Sequence, residues 1–153
     1  MQGEALMDRP TYSLTLPSEL RMLSVARRFV EAVCEAHQLE RTVLHALVIV
    51  TGEAVTNIIR HAHHHVVGAQ MAIHVEFPPD CIVLTFHDEG EPFDFDAVPQ
   101  LPPGEVRIGG RGIFLMRALM DEVSYEPCSA GARGNVLRMV KRCALKSIMR
   151  ACG

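Results

Sequence analysis

Glu53, Asn57 and His61 recur at four-residue intervals in "GEAVTNIIRHAHHH", residues 52–65, and three more histidines follow at once. On a helix, four residues advance the chain by about 400°, so the three side chains drift only about 40° per step and share one face. A carboxylate one turn from a carboxamide places a proton acceptor beside an oxygen ligand for a hard cation such as Mg²⁺, a pairing suited to phosphate chemistry. The same pattern is also what the solvated side of an amphipathic helix carries. His61, His63, His64 and His65 lack the two separated pairs or the distant third ligand of a zinc site, and read instead as a partly exposed helix end.

Two further stretches bring glycine to reactive positions. In "DEGEPF", Asp88 closes a strand-like run and Gly90 lets backbone come close to a flat ligand. A carboxylate there accepts a hydrogen bond from an exocyclic amine such as that of adenine, or simply marks a turn. In "GGRGIF", Gly109, Gly110 and Gly112 precede or open a helix whose first amides and partial positive charge suit a phosphate chain, with Arg111 as a movable cation. A dinucleotide fingerprint needs a strand directly before the glycines and a GxGxxG spacing, and a Walker loop needs Gly-Lys-Ser/Thr. Neither is present. Glycines of a flexible loop are the plainer alternative.

The elements that must position these residues follow from periodicity. "YSLTLP" alternates like a strand, and Ser18 stands as N-cap for a helix to about His37. A second helix is expected from about Glu40 to His63, with Leu44, Leu47, Val48, Val55, Ile58, Ile59 and Ala62 as its core stripe. "MAIHVEF" and "CIVLTFH", joined by Pro78, Pro79 and Asp80, read as a hairpin. A long loop rich in proline, glycine and acid leads to a helix over Ile113 to Glu122, and "VSYEP" and "NVLRMVK" close the fold as strands. Strands adjacent in sequence predict an α+β fold, a two-layer sandwich with helices on one face of a mixed, mainly antiparallel sheet. The expected organisation is a leader over residues 1–10, one domain over 11–142 and a basic tail over 143–153.

Composition narrows the partners. At 153 residues with 48% hydrophobic and 22% charged content, the chain fits one ordinary globular domain. A formal net charge of -3 gives no general attraction to nucleic acid or anionic lipid. Five scattered cysteines without a CxxC pair indicate neither a disulfide framework nor a zinc ribbon, and a reducing cytoplasm is the expected setting. Neither a signal peptide nor a membrane span is expected.

Taken in order, "EAVTNIIRHAH", "DEGEPF" and "GGRGIFLMRALMDEVSY" resemble the three ATP-binding boxes of the Bergerat-fold (GHKL, histidine-kinase-like) ATPases. More narrowly, they resemble the anti-sigma-factor serine/threonine kinases of bacterial partner-switching systems. The resemblance implies an α/β sandwich with ATP between helices and sheet beneath a lid. It implies Glu53 as the general base, Asn57 as the Mg²⁺ ligand, Asp88 as the adenine-recognising carboxylate with Gly90 beside it, and Gly110 and Gly112 at the lid and phosphates. His61 stands where such proteins carry a basic or polar residue, and Arg107 and Arg111 are placed as phosphate contacts by proximity alone. The implied partners are a STAS-type anti-anti-sigma protein as substrate, a sigma factor as the sequestered target, and a second copy in a homodimer. Ile58 departs from the alanine usual after the box asparagine, and Pro99, Pro102 and Pro103 stiffen the expected lid. A partner-switch kinase with a non-sigma target, or a non-catalytic nucleotide-gated module, are the alternatives. Retention of both Glu53 and Asn57 argues against the module.

Overall fold

The computed structural model describes residues 10–63, 67–95, 111–128 and 134–143. The chain runs β1 (Thr11–Pro17), a 3-10 turn (Leu20–Met22), α1 (Leu23–Ala36), α2 (Arg41–Asn57) continued by one π turn (Ile58–Ala62), β2 (Gln70–Glu76), β3 (Cys81–Asp88), α3 (Arg111–Leu119), β4 (Glu122–Glu126) and β5 (Asn135–Arg142). The strands form one open sheet in the order β1-β2-β3-β5-β4. Every pairing in it is antiparallel, so the expected mixed sheet is corrected to an antiparallel one. The β2–β3 connection is the hairpin foreseen at Pro78 to Asp80, where Asp80 adopts a left-handed φ of 63° and Cys81 N–H reaches Pro78 O.

Alternation along the strands decides which face is covered. Leu14, Ile73, Phe86, Leu137 and Tyr125 are successive cross-strand partners on the helix-facing side. Ile73, Leu84, Phe86 and Met139 are almost completely buried there, each large side chain contributing about 1.5–3 kcal/mol on removal from water. Helix α1 adds Ala26, Val30 and Val33, and α2 adds Leu47, Val50, Ala54 and Val55. Because α2 is packed between α1, α3 and the sheet, it is apolar over much of its circumference. The segment Arg41–Ala62 is long and apolar enough to cross a membrane, with a mean hydropathy of 1.6, yet its apolar surface is mostly spent inside the fold.

Four local expectations are corrected. Ser18 caps no helix: α1 starts at Leu23 after the 3-10 turn, and the Ser18 hydroxyl instead meets His63 Nδ1 at 2.7 Å in a buried contact. The α geometry of α2 stops at Asn57, and His63 N–H bonds Ile58 O at 3.0 Å, an i to i+5 closure that forms the π turn. Turning His63 inward to Ser18 is what the wider turn accomplishes, so this residue is buried and not part of an exposed helix end. Helix α3 begins at Arg111 and ends at Leu119, leaving Glu122 on β4; Lys141 Nζ donates to Leu119 O at 2.8 Å and Asp121 N–H to Val140 O, which stops the helix and starts the strand.

Candidate functional site

A small, partly open cavity lies between the C-terminal half of α2, the first turns of α3 and the ends of β3, β4 and β5. Asn57 and Asp88 are its polar residues, and Ala54, Ile58, Ile113, Met116 and Leu137 form much of its apolar wall. The aromatic residues Phe93, Phe95 and Tyr125 close another side. Their rings pack together at centroid distances of 4.8–6.1 Å, and Phe93 N–H donates to the Tyr125 hydroxyl at 3.3 Å. Burial, first of all, pushes the Tyr125 hydroxyl pKa upward, so it stays a neutral donor and acceptor. Arg117 lies 4.7 Å from the Phe95 ring centre and donates to Phe95 O, tying this aromatic wall to α3.

Asp88 ends β3 with its carboxylate buried and tightly held. Gly90 N–H donates to Oδ1 at 2.9 Å, and Asn135 Nδ2 donates to the same oxygen at 2.8 Å. Both hydrogen bonds that the described residues give this carboxylate therefore end on Oδ1. Asn135 also donates to Gly90 O at 3.0 Å and accepts from Cys128 N–H at 2.9 Å, so its carboxamide locks three backbone or side-chain groups at once. Gly90 is packed against the π turn: a Cβ there would stand 2.4 Å from Ala62 O, and Glu91 N–H bonds that same carbonyl at 2.8 Å.

Glu53 and Asn57 occupy one face of α2, half-buried, with the first turn of α3 against them. A Cβ on Gly112 would lie 2.8 Å from Glu53 Oε2 and 3.4 Å from Asn57 Nδ2. The missing side chain is what lets α3 approach the carboxylate. Asn57 and Asp88, from separate parts of the chain, thus line one cavity; Gly112 packs against Glu53 and Asn57 beside it, and Gly90 against Ala62 of its wall.

The remaining residues singled out by sequence are placed differently. His61 is exposed on the π turn and does not line the cavity, because the wider turn breaks the four-residue repeat that carried Glu53 to Asn57. Arg111 is exposed at the first residue of α3. Arg107, Gly110 and the proline-bearing segment lie outside the described residues. Sequence reasoning missed Asn135 and the Phe93–Phe95–Tyr125 wall. Asn135 is the direct cross-strand partner of Asp88, a relation visible only once the β3–β5 register is known.

Residues 16–141 match the family model described as the histidine kinase-like ATPase domain. Among sequence relatives, the serine-protein kinase RsbW of Oceanobacillus iheyensis is 28% identical over 118 residues, which cover 72% of this chain and 75% of that protein. RsbW of Halalkalibacterium halodurans is 27% identical over 139 residues, covering 86% and 82%. RsbW of Bacillus subtilis is 26% identical over 121 residues, covering 74% and 76%.

Proposed function

The chain belongs to the histidine kinase-like ATPase domain family, and from that premise we propose that it is an ATP-dependent protein serine/threonine kinase of a bacterial partner-switching system. The observation that carries the reading is the convergence of Asn57 and Asp88 on one cavity, with Gly112 packed against Asn57 and Glu53 beside it. The residues fit the nucleotide and its cation. An apolar, aromatic-walled pocket with one fixed carboxylate suits a purine ring, and Asp88 Oδ2, which takes none of the hydrogen bonds that the described residues give Oδ1, would accept from an exocyclic amine. Asn57 offers the carboxamide oxygen that a hard cation takes, and Mg²⁺ held there would neutralise charge on the phosphates. Gly112, without a Cβ, lets the first turn of α3 close on Glu53 and Asn57, and Gly110, Arg107 and Arg111 are assigned to the phosphate side.

Phosphoryl transfer asks mainly for positioning and charge neutralisation, and this chain's share of it is simple. Glu53 accepts the proton of an incoming serine or threonine hydroxyl. The walls from α2, α3 and β4 exclude water, and Asp88 fixes the register of the base. The relatives' shared name, serine-protein kinase, supports a protein hydroxyl as acceptor. The substrate in this reading is a STAS-type anti-anti-sigma protein, and the second partner is a sigma factor held while the antagonist is phosphorylated, in the cytoplasm. A homodimer is part of the same proposal.

Calorimetry with ATP and Mg²⁺, run beside transfer of labelled γ-phosphate, tests it. Glu53→Gln should keep nucleotide binding within a few-fold and abolish transfer, whereas Asp88→Asn should weaken binding itself at least tenfold. Full transfer by the Glu53 variant removes it as the base, and absence of any adenine-nucleotide binding by the folded wild type removes the whole reading.

A further inference from the structure

The helix-free face of the sheet carries a second constellation that the nucleotide cavity does not use. In register across the strands lie Ser13, His74, Thr85 and Arg138, and in the next row Thr15, Ala72 and His87. His74 on β2 and His87 on β3 are therefore diagonal neighbours on one face, a spacing within reach of long or aromatic side chains. Their ring centroids are 5.0 Å apart with the planes at 89°. The Ser13 hydroxyl lies 2.7 Å from His74 Nδ1.

We propose that His74 and His87 form a two-imidazole site for a borderline divalent transition ion of the Zn²⁺ class. Two Zn–N bonds of about 2.0 Å meeting at a tetrahedral angle put the ligand nitrogens roughly 3.3 Å apart, which rings at this centroid separation accommodate. Ser13 supplies the outer partner common to metal-binding histidines: when Nδ1–H of His74 donates to the hydroxyl, Nε2 presents its lone pair. Among the described residues no group of three or more His, Cys, Asp or Glu is assembled for a metal, so water completes the coordination and the ion remains exchangeable. Successive residues on a strand face opposite ways, so His87 turns from the nucleotide cavity while Asp88 turns into it. The cation of this site is distinct in kind from Mg²⁺, which prefers oxygen donors. A bound ion would clip β2 to β3.

The test is a Co²⁺ titration of the full chain followed by absorbance, then Zn²⁺ displacement, in the absence of nucleotide. One ion should bind with imidazole and water ligation and without a thiolate-to-metal charge-transfer band. His74→Gln and His87→Gln should each weaken it at least tenfold with circular dichroism unchanged, and Ser13→Ala should weaken it severalfold. Absence of binding, a thiolate band, or undiminished affinity in the folded His74→Gln/His87→Gln double variant overturns the site. An unchanged affinity in Ser13→Ala overturns Ser13 as the residue that orients His74.

Discussion

Asn135 holds Asp88 in place from the neighbouring strand, donating to Oδ1 at 2.8 Å while its own oxygen accepts Cys128 N–H. Asn135 is completely buried and Asp88 nearly so, which makes the pair costly to break. Asn135→Ala leaves Cys128 N–H and Gly90 O without this partner and removes one of the two donors that the described residues give the carboxylate. Stability should fall by about 1–3 kcal/mol, the penalty for leaving buried polar groups unmatched. In the nucleotide reading, ATP affinity should fall as well, since Oδ2 is aimed only as well as Oδ1 is fixed. Denaturant unfolding and calorimetry check the two effects separately; unchanged ATP affinity would show that Asp88 keeps its place without Asn135.

Gly90 has no space for a side chain. The atoms that a Cβ would meet are Ala62 O at 2.4 Å and Ala62 C at 2.5 Å, backbone atoms that have no rotamer to change. Gly90→Ala must therefore push the β3 end away from the π turn, straining the Glu91 N–H to Ala62 O bond and the Gly90 N–H to Asp88 bond together. Overpacking of this kind costs about 1–3 kcal/mol. A matching drop in the unfolding midpoint, with weaker nucleotide binding, is the expected result. An Ala variant as stable as the wild type would mean that the loop relaxes freely.

The periodic parts of the fold were legible because burial imposes them. Alternation in "MAIHVEF" and "CIVLTFH" and the apolar stripe through Leu44, Leu47 and Val55 marked β2, β3 and α2, and the structure buries those residues. The ends of elements were less legible, since they are set by distant partners: Ser18 is taken by His63 from across the fold, and Lys141 and Val140 decide where α3 stops and β4 starts. The site divides in the same way. Helix spacing put Glu53 and Asn57 on one face, and strand-end and helix-start patterns singled out Asp88, Gly90 and Gly112, but their roles came from the family resemblance and stand as proposals. His61 fails to join them because one inserted π turn resets the repeat, and Asn135 depends on a strand register that local pattern does not encode.

His37 links stability to pH. Its ring stacks on Phe77 at 3.7 Å and its Nε2 meets the Tyr12 hydroxyl at 2.8 Å, and burial lowers its pKa below the usual value near 6.5. The unfolded chain then takes up a proton at a higher pH than the folded one, so this residue's contribution is complete above about pH 6.5 and is lost as pH falls toward the depressed folded value. His87, lowered first by burial and then by His74, acts in the same sense. His37→Phe should reduce the stability lost between about pH 7.5 and pH 5.5 without removing it, His87 keeping its share. Urea unfolding at both pH values checks this, and an unchanged difference would assign the acid sensitivity elsewhere.

Gly112→Ala separates the chemistry from the fold. Alanine in a helix is favoured over glycine by up to about 1 kcal/mol, so α3 itself gains or is indifferent. The new methyl, however, would sit 2.8 Å from Glu53 Oε2, and the glutamate side chain can give way only by leaving its present position. Asn57 Nδ2, at 3.4 Å, is barely disturbed. If Glu53 is the proton acceptor, the variant should melt at or above the wild-type temperature and bind ATP within a few-fold. Its phosphoryl transfer should fall at least tenfold, because a base displaced from the acceptor hydroxyl no longer meets the geometric demand of proton transfer. A Gly112→Ala protein with full transfer would place the reacting hydroxyl away from Glu53, whereas equal losses of binding and transfer would place Gly112 against the nucleotide and leave Glu53 unmoved.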